Sequence, residues 1–218
     1  MTYTLYGAAG SGSIPVEAAL TLIGAPYRVV EAVTWEGDAE RDKVASVNPM
    51  RQIPALVTPA NSEGIRETIT ESAAILIWLA EQHPEAALAP DPGDPRRAQF
   101  LRWMSFIPAA IYSMFWVRDV PSRLIGEDRA AQERMLALTA DRITDCWAIM
   151  DSQITPGRWL LGDELTVLDL YVAVVSRWSP GRARFEAVAP KLTPVVKRVD
   201  ALPELQTFWA ERFPFTEV

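Results

Sequence analysis

The first 83 residues change hydrophobic period several times, and this switching restricts the fold more than any other feature. YTLYG (Tyr3–Gly7) alternates as a strand does, IPVEAALTLIG (14–24) has helical spacing closed by Gly24, and YRVVEA (27–32) is β-branched again. The opening therefore reads strand, helix, strand. The polar stretch WEGDAERDKVASVNP (35–49) has room for a short helix at most. PALVTP and IRETI read as two strands around a turn at residues 61–64, and a helix over 71–82 stops before Pro84. Beyond it the strand signal ends. PEAALAPDPGDPR is dense in proline and aspartate and suits an extended connector, so 84–94 is read as a linker between a first domain, 1–83, and a second, 95–218. Residues 96–116 and 130–154 are long and helix-like with no convincing alternation, which predicts an all-helical second domain.

Charge and cysteine usage exclude several classes of function. Of 218 residues, 49% are apolar, enough for a sizeable core, while 28 acids against 21 bases leave a net charge of −7 with no basic cluster. Nucleic acid is not an expected partner. The start, MTYTLYGAAGSGS, lacks a basic segment followed by an apolar one, and no uninterrupted apolar run of ~18 residues follows, so a cytosolic protein without membrane contact is expected. Cys146 is the single cysteine and His83 the single histidine, which excludes an internal disulfide and a zinc site of the usual soft ligands. A Ser-His-Asp triad would have to use His83, at a helix end just before Pro84.

Three segments carry candidate chemistry. In NPMRQIPAL (48–56), Pro54 stands at a strand entrance, and a cis Ile53–Pro54 bond there would turn the chain sharply and leave the Ile53 amide and carbonyl facing outward to pair with an extended peptide; the alternative is an ordinary trans proline. In TESAAILIWLAEQHP (70–84), Thr70, Glu71 and Ser72 open a helix whose positive end suits a carboxylate. Ser72 can add a hydroxyl bond to that carboxylate and Glu71 can pair with an ammonium, together matching an amino-acid headgroup; the alternative is a plain helix cap. The loop GAAGSGS (7–13) joins the first strand to the first helix. Its small residues permit close approach of a ligand, and Ser11, Ser13 or Tyr6 can donate a hydrogen bond to a thiolate, unless a serine merely caps the helix. The residue three after Gly12 is Pro15, which makes the loop a weak match to a dinucleotide fingerprint.

These three segments in this order, followed by a helical domain, resemble the cytosolic glutathione transferase superfamily over most of the chain. GRWLLGDELTVLDLYVAVVSRW (157–178) resembles that family's loop, capping box and core helix, and Thr166 and Asp169 have the spacing of a capping box, which makes Asp169 a folding residue. The resemblance implies a thioredoxin-like first domain with a four-stranded mixed sheet (α/β), an all-α second domain and a homodimer. It implies glutathione as co-substrate and no metal, with Glu71 and Ser72 on the γ-glutamyl end, the Ile53 backbone beside Pro54 pairing with the cysteinyl unit, and Gln52 or Arg51 reaching the glycyl carboxylate. Trp103, Phe106, Tyr112 and Phe115 are its candidates for lining an acceptor pocket for a small apolar electrophile, alongside a C-terminal tail at 213–218. Beta-class bacterial enzymes, similar in layout, carry a cysteine and then a serine in the activating loop. One alignment puts Gly12 and Ser13 there, another shifts the loop to Ser11 or even Gly10, and the choice among Ser11, Ser13 and Tyr6 stays open.

The same scaffold admits other chemistry, since a fold does not fix a reaction. A glutathione-dependent isomerase would need cations in the acceptor pocket, with Arg102, Arg118 and Arg123 as candidates. A dehalogenase or an ether-cleaving enzyme is a related option. A non-catalytic interaction or dimerisation module is the alternative from another class.

Overall fold

The computed structural model describes residues 2–215. Its elements begin with strand β1 (Tyr3–Gly7), helix α1 (Ile14–Ile23), strand β2 (Tyr27–Glu31), helix α2 (Asp38–Ala45), strands β3 (Ala55–Val57) and β4 (Thr68–Thr70), and helix α3 (Ser72–Gln82). The sheet order is β2-β1-β3-β4. β1 runs parallel to β2 and antiparallel to β3, and β3 runs antiparallel to β4. This is the mixed four-stranded sheet of the thioredoxin-like expectation.

Local chemistry explains the element ends. Gly24 closes α1 at φ 71, with its N–H returned to the carbonyls of Leu20 and Thr21, a conformation glycine adopts without steric cost. Between β3 and β4, Asn61 Oδ1 accepts the amides of Glu63 and Ile65, an Asx-type turn. Helices α1 and α3 pack on each other, and the side chains of Ile14, Val16, Leu20, Ile75, Leu76 and Leu79 are completely buried.

The second group of elements is helical: α4 (Arg97–Phe106), one π turn (Ile107–Ile111), α5 (Phe115–Asp119), α6 (Ser122–Ile125), α7 (Arg129–Gln153), α8 (Val167–Val175), α9 (Arg182–Val188) and α10 (Thr193–Asp200), with α11 (Gln206–Arg212) nearest the C-terminus. The π turn falls at Pro108, which has no N–H to donate, so the helix widens there. Helical structure is continuous over Arg97–Asp119, and this run is long and apolar enough by length and composition to cross a membrane. That corrects the expectation of no such stretch: the charges fall at Arg97, Arg102, Arg118 and Asp119, leaving the middle uninterrupted. Core helices of water-soluble folds share this property, and Trp103, Met104, Ile107 and Ile111 here are buried in protein.

Two compact units result, Pro90–Val199 and a second made of the chain up to Ala89 together with the residues from Asp200 onward. The sequence predicts a helical domain over 95–218, and α11 instead groups with the sheet-bearing unit. The cause is chemical, because Arg212 forms ion pairs with Glu17 and Glu31.

Candidate functional site

The strand register gathers the three candidate segments at one end of the sheet. Tyr6 pairs with Ala55, and Ala55 pairs with Thr70. The loop after Gly7, the Ile53–Pro54 bond and Glu71–Ser72 therefore leave three neighbouring strands side by side. Adjacent strands lie about 4.8 Å apart, so three of them span roughly 10 Å, the length of an extended tripeptide.

The Ile53–Pro54 peptide is cis. The preceding turn is tied down by Asn48, which is buried: its Nδ2 donates to the Gln52 carbonyl at 2.9 Å and its Oδ1 accepts the Met50 amide at 3.0 Å. The signal for Asn48 in the sequence is its place at the head of NPMRQIPAL. Ile53 precedes the paired register, which begins at Ala55. Gln52 is exposed, while the Arg51 guanidinium is held by Asp42 at 2.7 Å and Asp38 at 3.3 Å.

Glu71 is the N-cap of α3, with φ 66 and ψ 110, an uncommon conformation for a residue with a side chain. It makes no capping bond to its own helix and is exposed, whereas Ser72 at the first helical position is buried. The positive end of the α3 dipole thus lies at Ser72, beside an outward carboxylate on Glu71.

In the loop between β1 and α1 the two serines are not equivalent. Ser13 is completely buried, and its hydroxyl accepts the Ala8 amide at 3.2 Å and donates to Glu17 Oε1 at 2.9 Å, with the Ala8 carbonyl also at 3.2 Å. Ser11 is slightly more accessible, and its Oγ lies 3.0 Å from Ser13 Oγ and accepts the Ser13 amide at 3.2 Å. Gly7 makes room for this arrangement, since a Cβ there would sit 2.4 Å from Ser13 Oγ. Tyr6 is half-buried within β1.

In the helical unit, Trp103 stacks edge-on against Phe106 with centroids 5.3 Å apart, and Tyr112, Phe115 and Trp178 form a second aromatic group. Trp103 is fully buried and Phe115 nearly so, while Phe106 and Tyr112 are half-buried. The tail considered at 213–218 lies outside the described residues from 216 on. Arg102 donates to Gln153 and lies over the Trp103 ring. Arg118 donates to the Leu136 carbonyl, Thr139 and Ser179, and Arg123 to the Trp116 carbonyl.

Thr166 and Asp169 form the expected capping box: Asp169 Oδ2 accepts the Thr166 amide and hydroxyl, each at 2.8 Å, and Oδ1 accepts the Leu160 amide at 2.8 Å. Burial pushes the Asp169 carboxyl up to about 6 against the pull of those bonds.

A mixed sheet that gathers a cis-proline turn, a helix N-terminus with an adjacent carboxylate and a serine loop at one end, followed by a helical unit, defines a thioredoxin-like protein with a helical second domain. Residues 12–82 match the family described as "Glutathione S-transferase, N-terminal domain" and residues 119–212 match "Glutathione S-transferase, C-terminal domain". The chain belongs to the cytosolic glutathione S-transferase superfamily, and its enzyme class is glutathione transferase. It is 29% identical over 203 residues to an uncharacterized GST-like protein, YncG, of Escherichia coli (strain K12), covering 93% of this chain and 94% of that protein. It is 29% identical over 163 residues to a maleylacetoacetate isomerase of Rattus norvegicus, covering 72% and 68% of the two chains. Among solved structures, a Sulfitobacter glutathione transferase homolog with bound glutathione superposes with a TM-score of 0.80 at 25% identity, over 96% of this chain and 98% of that one.

Proposed function

We propose that this protein binds glutathione and activates its thiol for attack on a small apolar electrophile, acting in the cytoplasm as a homodimer. The observation that carries the reading is the register Tyr6–Ala55–Thr70, which sets the three candidate segments beside one another. In this reading Glu71 pairs with the γ-glutamyl ammonium and Ser72, at the helix's positive end, takes its carboxylate. The Ile53 backbone, turned by the cis bond to Pro54, pairs with the cysteinyl unit, and exposed Gln52 is nearer to hand for the glycyl end than Arg51, which α2 already holds.

A free thiol has a pKa of about 8.5 and is only a few per cent thiolate at neutral pH, so activation means lowering that value. Ser11 is assigned as the donor to sulfur because the Ser13 hydroxyl is buried and committed to Glu17. Tyr6 is next in line. The thiolate forms the new carbon–sulfur bond, the electrophile's leaving group departs with the electron pair of the broken bond, and the thiol proton passes to solvent. Trp103, Phe106, Tyr112 and Phe115 are proposed for the acceptor side, with the half-buried Phe106 and Tyr112 the better placed to meet a substrate.

The similarity to a maleylacetoacetate isomerase supports a second reading, in which glutathione is returned unchanged. Arg102, Arg118 and Arg123 are each engaged by protein acceptors, so a carboxylated substrate would have to displace these bonds. Incubating the protein with glutathione and a panel of electrophiles, with thiol titration and product masses as readouts, separates the two. Stoichiometric thiol loss with an adduct mass supports conjugation. Product formation at constant thiol supports the isomerase, and no turnover with any electrophile removes both.

A further inference from the structure

Glu17 is the anomaly of α1. It sits on a helix whose residues 14–20 are all buried, its side chain is 1% exposed, and it pairs with Arg212, a residue 195 positions away in the chain, at 2.7 and 3.1 Å. Ion pairs removed from water gain little net stability, because desolvating both partners offsets their attraction, and an apolar pair of similar volume would serve the core as well. What an apolar pair would not do is hold a hydroxyl. Glu17 Oε1 accepts the Ser13 hydroxyl hydrogen, and the Ser13 amide donates to Ser11 Oγ at 3.2 Å, which holds the Ser11 oxygen while its hydrogen, 3.0 Å from Ser13 Oγ, turns to sulfur when glutathione is bound. The same stretch of chain binds the loop a second time through its backbone, since the Gly10 amide donates to the Arg212 carbonyl at 3.0 Å.

We propose that Glu17 and Arg212 are positioning residues for the thiol-activating loop: Arg212 fixes and neutralises the carboxylate that orients Ser13, and Ser13 in turn sets Ser11. This rests on the reading of Ser11 as the sulfur contact. An unneutralised carboxylate at this spot would oppose a thiolate beside Ser11, and Arg212 cancels it. Burial pushes the Glu17 carboxyl up while Arg212 and Ser13 pull it back, Glu31 and Tyr27 are the other titratable groups whose fields reach this pair, and Glu211 acts on Tyr27. Arg212 is itself held more firmly protonated than a free arginine by Glu17.

The test measures the pKa of glutathione bound to the full chain from its ultraviolet thiolate absorbance, alongside the dissociation constant. Arg212→Met is expected to raise the bound thiol pKa by about one unit with a smaller change in affinity. Glu17→Gln combined with Arg212→Met is expected to bring it back toward the wild-type value, and Arg212→Lys to recover most of the shift. The proposal is overturned if Arg212→Met leaves the thiol pKa unchanged, or if the double variant is shifted as far as Arg212→Met, which would mark the pair as merely structural. Should Arg212→Met not fold, Arg212→Lys against Glu17→Gln/Arg212→Lys decides, since equal thiol pKa values in those two would also overturn it. A wild-type protein that binds glutathione and lowers its thiol pKa while the variants behave identically defeats this inference alone. A wild type with no bound thiolate at all defeats the functional reading and this inference with it.

Discussion

A hydroxyl has one hydrogen to give, and at Ser13 the buried carboxylate of Glu17 takes it, because a charge-assisted bond at 2.9 Å outcompetes the Ala8 carbonyl at 3.2 Å. Ser11 is then the donor of the 3.0 Å contact to Ser13 Oγ, a neutral acceptor that a thiolate outcompetes for that hydrogen. The two serines should therefore fail differently when truncated. Ser11→Ala is expected to raise the bound thiol pKa by one to two units, about 1.4–2.8 kcal/mol, with about 1 kcal/mol lost in folding stability for the Ser13 amide left unpaired. Ser13→Ala is expected to cost about 1–3 kcal/mol in denaturant unfolding, since it strips a partner from a buried carboxylate. Gly7→Ala belongs to the same network: the added methyl meets Ser13 Oγ at 2.4 Å and Cβ at 2.5 Å, so the loop must shift. Its expected signature is a raised bound thiol pKa, read by the same absorbance titration, although Gly7 itself contributes no side chain.

Among the elements, α8 shows how far short-range chemistry can be read from sequence. Thr166 and Asp169 are three residues apart, both partners of the box lie within one turn, and the structure contains both bonds. Asp169→Asn keeps the shape but turns an amide donor toward one of three donors, so a loss of about 1–3 kcal/mol is expected in chemical unfolding. The pH dependence has a definite sign. A carboxyl raised from 3.8 to about 6 on folding contributes stability that is complete below about pH 4 and is lost as pH rises through about 6. The wild-type advantage over Asp169→Asn should thus shrink between pH 4 and 7, by up to about 3 kcal/mol, in melting curves recorded across that range. The helix beginning at Arg97 behaved otherwise. Its apolar spacing signalled one long helix, but Pro108 removes a donor in the interior and the chain passes through a π turn, a response that periodicity alone does not encode.

For the whole molecule, legibility followed sequence separation. The sheet and helix order, the cis bond at Pro54 and the start of α3 at Glu71–Ser72 were readable because their causes lie within a few residues of one another. The Glu17–Arg212 pair was not, since a lone glutamate in an apolar helix announces that it needs a cation without saying which. For the same reason the return of α11 to the sheet-bearing unit had no local sign. Whether one end of this sheet holds glutathione is decided by calorimetric titration of the purified protein with glutathione, beside a Glu71→Ala/Ser72→Ala variant. Saturable heat is expected from the wild type and none from the variant. A wild type that gives no heat at millimolar glutathione, or a variant that binds as well as the wild type, would contradict it.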